Sequence, residues 1–189
     1  MELYDIKRGN KLEPIKIKQF SLEKDIQNIV EGNLNELFDL QFVCTEFSIK
    51  NFRIDTLSFD KSNKSFVIIE YKKGKSYSVI DQGYSYLSMM LNHKSDFILE
   101  YNENTSNSLK RGDVDWTQSK VVFISPNFST YQKESINFKD LPIELYEIKR
   151  FSNNSIIINQ IKGDSTESVK TVSKGKGVID KVSKEVKVY

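Results

Sequence analysis

The chain has 189 residues, 38% apolar and 29% charged, which is enough for one domain with a proper core and excludes a disordered polymer. The longest apolar runs, Phe66 to Ile69 and Val121 to Ile124, fall far short of the roughly 20 residues of a membrane span, so no membrane is expected. A formal net charge of +2 permits a nucleic-acid partner without demanding one.

The acidic start Met1-Glu2-Leu3-Tyr4-Asp5 does not read as a signal peptide. The single Cys44 excludes an internal disulfide or a thiolate zinc site, and a reduced cytoplasm is the expected compartment. Basic residues cluster locally at Lys7-Arg8, Lys16 with Lys18, Lys72-Lys73-Lys75 and Lys110-Arg111. Taken alone, such clusters are ordinary solubilising surface.

In chain order, residues 2–7 and 13–18 predict short strands around a turn at Gly9-Asn10. Ser21 is placed to cap a helix running to about Phe38, with a weak point at Gly32-Asn33. Three strands follow: Phe42 to Ile49, Phe52 to Asp60 and Ser65 to Lys72. A second helix is predicted from about Ser76 to Asn92, with Ile80, Tyr84, Leu87 and Leu91 as its apolar stripe. Asp96 to Tyr101 reads as a strand, and Asn102 to Asp115 as an exposed polar loop. Val121 to Ser125 reads as a buried strand, Ser129 to Phe138 as a short helix, and Ile143 to Lys149 and Ser155 to Ile161 as the last strands. The order predicts an α/β fold with a central mixed β-sheet flanked by helices. Residues 1–162 form the expected domain. From Gly163 the composition turns to Ser, Thr, Lys, Gly and Val, so 163–189 reads as a linker or mobile tail.

The chemistry concentrates in the hairpin 52–72. A symmetric turn over Lys61-Ser62-Asn63-Lys64 sets Asp60 against Ser65 and, continuing inward, Asp55 against Glu70. Opposed residues carry Cβ atoms about 4.5–5.5 Å apart, so two opposed carboxylates destabilise a sheet unless something neutralises them. A divalent cation does so, and oxygen ligands favour magnesium, with manganese as a substitute. Lys72, two residues past Glu70, points to the same face and can orient an attacking water or stabilise phosphate charge. Lys73 points the other way, as a solvated residue or a phosphate contact.

On the first helix, Leu22, Ile26, Ile29, Val30, Leu34, Leu37 and Phe38 share a face; Glu23 lies about 40° from its centre, and Glu31 falls on the polar side. Glu23 has two readings: a partner for the metal site, or an acid favouring the helix dipole. Gln82 and Tyr86, four apart, share a face from which they can brace Lys72, a water or a phosphate. Of Tyr71, Tyr77, Tyr84 and Tyr86, Tyr84 reads as core and the others as half-exposed packing or base-stacking groups. Trp116 reads as a partner anchor or a cap on the core. Asp113 and Asp115 read as solvated loop acids.

Arg53-Ile54-Asp55, then Ile68-Ile69-Glu70-Tyr71-Lys72-Lys73, then Asp81-Gln82-Gly83-Tyr84-Ser85-Tyr86-Leu87 resembles the PD-(D/E)XK nuclease superfamily, in particular its RecB-type branch and archaeal mismatch- and flap-cutting endonucleases. The resemblance covers about residues 21–100 and implies a restriction-endonuclease-like core that cleaves DNA phosphodiesters with magnesium. It matches Asp55 and Glu70 to the metal-binding acids, Lys72 to the catalytic lysine, Gln82 and Tyr86 to the auxiliary pair, and Glu23 to the first-helix acid. Arg53, Lys73, Lys75 and Tyr86 are the expected nucleic-acid contacts. Ile54 stands where the family's pattern has proline. The resemblance extends to members with a further C-terminal domain, for which the tail is the linker; a homodimer would suit cutting of both strands. The rival reading is a catalytically silent nuclease-like module that binds nucleic acid or a protein partner. A third, a small α/β interaction protein, leaves the opposed carboxylates unexplained.

Overall fold

A computed structural model of the chain describes residues 2–74 and 79–173. At its centre is a mixed seven-stranded sheet flanked by helices, as the sequence predicts. β1 (Leu3–Lys7) and β2 (Lys11–Ile15) form a separate antiparallel ribbon, followed by β3 (Ile17–Lys18), α1 (Glu23–Glu31) and α2 (Leu34–Phe38). Then come β4 (Gln41–Ile49), β5 (Phe52–Asp60), β6 (Ser65–Tyr71), α3 (Val79–Asn92) and α4 (Lys94–Asn104). β7 (Lys120–Ser125), α5 (Thr130–Ser135), β8 (Ile143–Phe151), β9 (Ile156–Ile161) and the short α6 (Lys170–Ser173) complete the order. Across the sheet the strands run β3-β8-β7-β6-β5-β4, with β9 also paired to β8.

β6 is buried along its whole length, the signature of a strand covered on both faces. Phe66 and Ile68 point into a layer shared with Leu87 and Met90 of α3 and Phe97 of α4. Val67, Ile69 and Tyr71 point into the opposite layer, with Ile26 and Val30 of α1. Each fully buried side chain of this kind contributes about 1.5–3 kcal/mol. β6, β7 and β8 run parallel, so their C-terminal ends meet along one edge of the sheet, the place where open α/β sheets bind ligands.

Several expectations need correction. The first helix breaks at its expected weak point, Gly32-Asn33, but starts at Glu23, and its first turn is closed by Asp25, whose carboxylate accepts the Leu22 N–H at 2.9 Å, rather than by Ser21. The predicted strand 96–101 is helical, because Phe97 and Tyr101, four apart, are its buried residues while Leu99 faces solvent. That helix takes in the first residues of the predicted polar loop. On α3 the buried face is Val79, Gly83, Tyr86, Leu87 and Met90, and Tyr84 and Leu91 are exposed. The two stripes are equally periodic, and the close contact of Gly83 with the sheet decides between them. A Cβ on Gly83 would lie 2.8 Å from Ile143 Cδ1 and 3.3 Å from Phe123. The predicted start of this helix, Ser76, and also Tyr77, lie outside the described residues.

Trp116 caps the core, stacked on Phe66 with ring centroids 5.5 Å apart. Asp113 and Asp115 accept main-chain N–H groups of Lys110 and Thr117, the work of turn residues. Among the described residues no helix is long and apolar enough to cross a membrane.

Candidate active site

The β5–β6 register is the one the turn predicts. Asp60 caps the turn by accepting the Asn63 N–H at 2.9 Å, and pairing runs from Asp60↔Ser65 to Thr56↔Ile69. One step further Asp55 would oppose Glu70, but the ladder stops short of that pair. On the other edge, pairing with β4 passes from Thr45↔Thr56 to Phe47↔Ile54, and Glu46 between them sits at φ 53°. Asp55 therefore occupies a break in both ladders. Its side chain replaces the missing strand contact, with Oδ2 accepting the Tyr71 N–H at 3.1 Å. Among the described residues no donor reaches Oδ1.

Glu70 is only 4% exposed, yet three side chains satisfy it. Lys72 Nζ lies 2.7 Å from Oε1, Gln82 Nε2 donates to the same oxygen at 2.9 Å, and the Tyr86 hydroxyl lies 3.1 Å from Oε2. Gln82 also donates to the Tyr86 oxygen at 2.9 Å, and Tyr86 lies 3.0 Å from the Arg53 carbonyl. The single phenolic proton serves Glu70 or Arg53, one at a time. Burial, the Glu70 charge and the contact with Glu70 push the Tyr86 hydroxyl up, so it stays a proton donor.

Asp55 is the perturbed acid. Burial first, then the neighbouring negative charge of Glu70, pushes it up to about 6; the Tyr71 N–H and Lys72 pull the other way, and Glu23 adds a small push up. A half-buried carboxylate facing a second carboxylate, with one oxygen free of donors among the described residues, is what a cation would relieve.

The structure brings Asp55, Glu70, Lys72, Gln82 and Tyr86 together. Glu23 lies beside them at the start of α1, with Oε1 accepting the Lys73 N–H at 2.9 Å, and its charge reaches Asp55. The Lys73 side chain turns to the Ser21 carbonyl. The Arg53 side chain is exposed and its charge is felt at Glu46 rather than at the acid pair. Lys75 lies outside the described residues. Among the described residues no three His, Cys, Asp or Glu side chains converge as a preformed metal cluster. The donor set is two carboxylates, which fits magnesium, an ion commonly held by one or two carboxylates with water and phosphate completing its shell.

Behind the acids lies a polar network that the helical pattern hid. Gln27, 5% exposed, holds its Nε2 within reach of three acceptors, Glu31 at 2.8 Å, the Asp55 carbonyl at 2.9 Å and the Thr45 hydroxyl at 3.0 Å, and its two N–H bonds serve two of them at a time. Thr56 donates to Glu31 at 2.6 Å, which leaves the Tyr71 hydroxyl, 3.0 Å away, to donate to Thr56. Glu31 thus faces the sheet instead of the polar side assigned to it from the helical wheel. The spacing of Gln27 and Glu31, four apart, was the available signal.

No family model matches the chain. A protein of uncharacterised function from Haemophilus influenzae is 52% identical over 190 residues, covering 100% of this chain. The chain spans 63% of that relative's length. Among solved structures, a repair endonuclease from Pyrococcus abyssi is 14% identical with a TM-score of 0.38, over 69% of this chain and 49% of that one. An EndoMS–double-stranded DNA complex is 15% identical with a TM-score of 0.46, over 77% and 60%. SfsA from Pyrococcus furiosus, in complex with Ca2+, is 15% identical with a TM-score of 0.38, over 86% and 76%. With every score below 0.5, the functional reading rests on the geometry of the site itself.

Proposed function

We propose that this chain is a magnesium-dependent nuclease that hydrolyses DNA phosphodiester bonds. The observation that carries the reading is the meeting of Asp55, Glu70 and Lys72 at the broken end of the β5–β6 ladder, with Asp55 pushed up to about 6. Asp55 and Glu70 would hold the ion, Glu23 standing by as a further acid, and manganese would substitute. When bound, the ion supplies charge neutralisation for the phosphate and acidifies the attacking water. Lys72 has its ammonium where it can orient that water or meet the charge developing on the phosphate. Gln82 and Tyr86 hold Glu70 in one rotamer and so fix the spacing of the acids. A homodimer would set two such centres on one duplex.

A second reading, a module that binds DNA or a protein partner without cutting, draws on one observation: Lys72 already neutralises Glu70 at 2.7 Å. A labelled DNA panel (single-stranded, duplex, flap and mismatch) with magnesium, manganese or EDTA separates the two. Metal-dependent cutting by wild type, lost in Glu70→Ala and Lys72→Ala, is the expected result. Binding without cutting under every metal would replace the first reading with the second.

A further inference from the structure

β4 and β9 are the long strands at the two margins of the sheet, and they are finished differently. A marginal strand offers its free main-chain N–H and C=O groups to any other strand, so proteins blunt it with bulges, charges or proline. β4 carries such devices. Its register slips between Phe42 and Cys44, Glu46 sits at φ 53°, and the Glu46 carboxylate meets Lys24 at 3.1 Å. β9 has none of them. Ile156-Ile157-Ile158-Asn159-Gln160-Ile161 holds no charge and no proline, and its register with β8 runs unbroken from Arg150↔Ile156 to Leu145↔Ile161.

Two hydrogen bonds fix which way the main chain of β9 points. The β8–β9 hairpin closes with the Phe151 N–H on the Ser155 carbonyl at 2.9 Å. On the opposite edge of β8 the Ser152 N–H reaches the Lys16 carbonyl at 2.8 Å. Main-chain groups alternate in direction along an antiparallel strand, so Ile157, Asn159 and Ile161 turn theirs to β8. The N–H and C=O groups of Ile156, Ile158 and Gln160 therefore point outwards. Among the described residues β9 pairs with β8 alone, so no strand meets them. The Ile158 side chain packs on the layer beneath α1, while that of Gln160 is exposed.

These outward groups match a second copy of themselves. A two-fold axis through Ile158, perpendicular to the sheet, lays two β9 strands side by side and antiparallel. Ile158 then opposes the partner's Ile158, and Ile156 opposes the partner's Gln160, with the reciprocal pair on the other side of the axis. Each such pair exchanges two hydrogen bonds, so every outward group from 156 to 160 is used. The facing side chains are uncharged: Ile158 with itself, Ile156 with Gln160, and Ile157 with Asn159 on the opposite face. We infer that this chain pairs with a second copy along β9, joining two sheets into one through an antiparallel β9–β9 ladder. A charged strand from another protein would find no counter-charge in β9. The contact also closes: β9 is consumed in both copies and the blunted β4 margin does not propagate it, so assembly stops at two. None of these residues belongs to the candidate centre, so the pairing stands whether or not the chain cuts DNA.

The test is sedimentation equilibrium of the full chain from low-micromolar to submillimolar concentration. Wild type is expected to pass from monomer to dimer and no further. Gln160→Pro removes an outward N–H at an exposed position whose N–H β8 does not use, and two inter-copy bonds go with it. Its dissociation constant should rise roughly 10-fold or more. Gln160→Ala keeps that N–H and should dimerise like wild type. Ile158→Lys sets two ammonium groups face to face at the axis and should remain monomeric, with far-UV circular dichroism showing each variant folded. A cross-link reads the same geometry and leaves the ladder intact. Opposed Cα atoms about 5.5 Å apart lie within disulfide range, so Ile158→Cys should oxidise to a covalent dimer. Phe42→Cys, exposed on β4, should not, nor should wild type, whose Cys44 is buried. A wild type that stays monomeric at every concentration would overturn the pairing. So would a dimer that Gln160→Pro and Ile158→Lys leave unchanged, one that cross-links through Phe42→Cys instead, or growth beyond two copies.

Discussion

Glu70 and Tyr71 are neighbours on β6, both buried, and they face opposite sides of the sheet. On the Tyr71 side the polar groups beside Asp55 are linked: Tyr71, Thr56, Glu31 and Gln27 form a continuous chain of donors and acceptors. On the Glu70 side two carboxylates crowd together, one of them held near pH 6 and short of a donor. The two sides meet at one residue. Gln27 grips the Asp55 carbonyl from behind, while its carboxylate serves the front. The contrast separates scaffold from reactive group: satisfied polar networks specify a geometry, and the unsatisfied one they support stores electrostatic cost that a ligand can release.

Breaking the front should have the largest effect. Asp55→Asn is expected to lower cleavage by more than the roughly 10–100-fold typical of outer partners of a metal site. The same variant should melt higher than wild type at pH 8 in EDTA. The sign follows from linkage: an acid ordinarily near 4 that titrates at about 6 when folded costs stability as pH rises through that window, and the cost persists above it. At pH 4 the folded wild-type Asp55 is protonated, like the amide, and the two should melt together. Differential scanning calorimetry at the two pH values checks this; a lower melting point for the variant at pH 8 would contradict it.

Breaking the back should cost less activity and more fold. Gln27→Leu removes the side-chain donor to the Asp55 carbonyl and leaves Glu31 with Thr56 as its donor, at about 1–3 kcal/mol, with kcat down about 10–100-fold and KM for DNA unchanged. Steady-state kinetics with a chemical denaturation curve reads both. Tyr86→Phe, which removes one donor to Glu70 while Lys72 and Gln82 remain, should lower kcat about 10-fold and raise the magnesium concentration needed for half-activity. Gly83→Ala should be the mildest, about 1 kcal/mol, since the Ile143 methyl it meets can move; a titration melt detects it.

The front was legible in the sequence because it is local. A four-residue turn fixes the hairpin register, and a helix with Gln and Tyr four apart follows soon after. The back was not, because Gln27 and Glu31 meet Thr45, Thr56 and Tyr71 only after α1 docks on the sheet. A helical wheel reads two polar residues as solvent-facing when the surface beneath them is itself polar. The same limit holds for the basic clusters. Lys16 with Lys18 and Lys72-Lys73-Lys75 are visible as separate clusters, but only β3–β8 pairing brings Lys18 opposite Arg150. The segment 94–104 failed differently: Phe97-Ile98-Leu99 imitates a strand, and the burial of Phe97 and Tyr101 on β4 and β6 decides for helix.

The hydrogen bond from the Tyr71 N–H to Asp55 makes one backbone amide a built-in gauge of the centre's charge. Its proton resonance should move downfield as Asp55 ionises near pH 6, tracing that titration without a label or a substrate. Addition of magnesium at fixed pH should displace the same peak along a different direction in a 15N–1H spectrum. A single nucleus in the spine of the fold would then report separately on proton and cation.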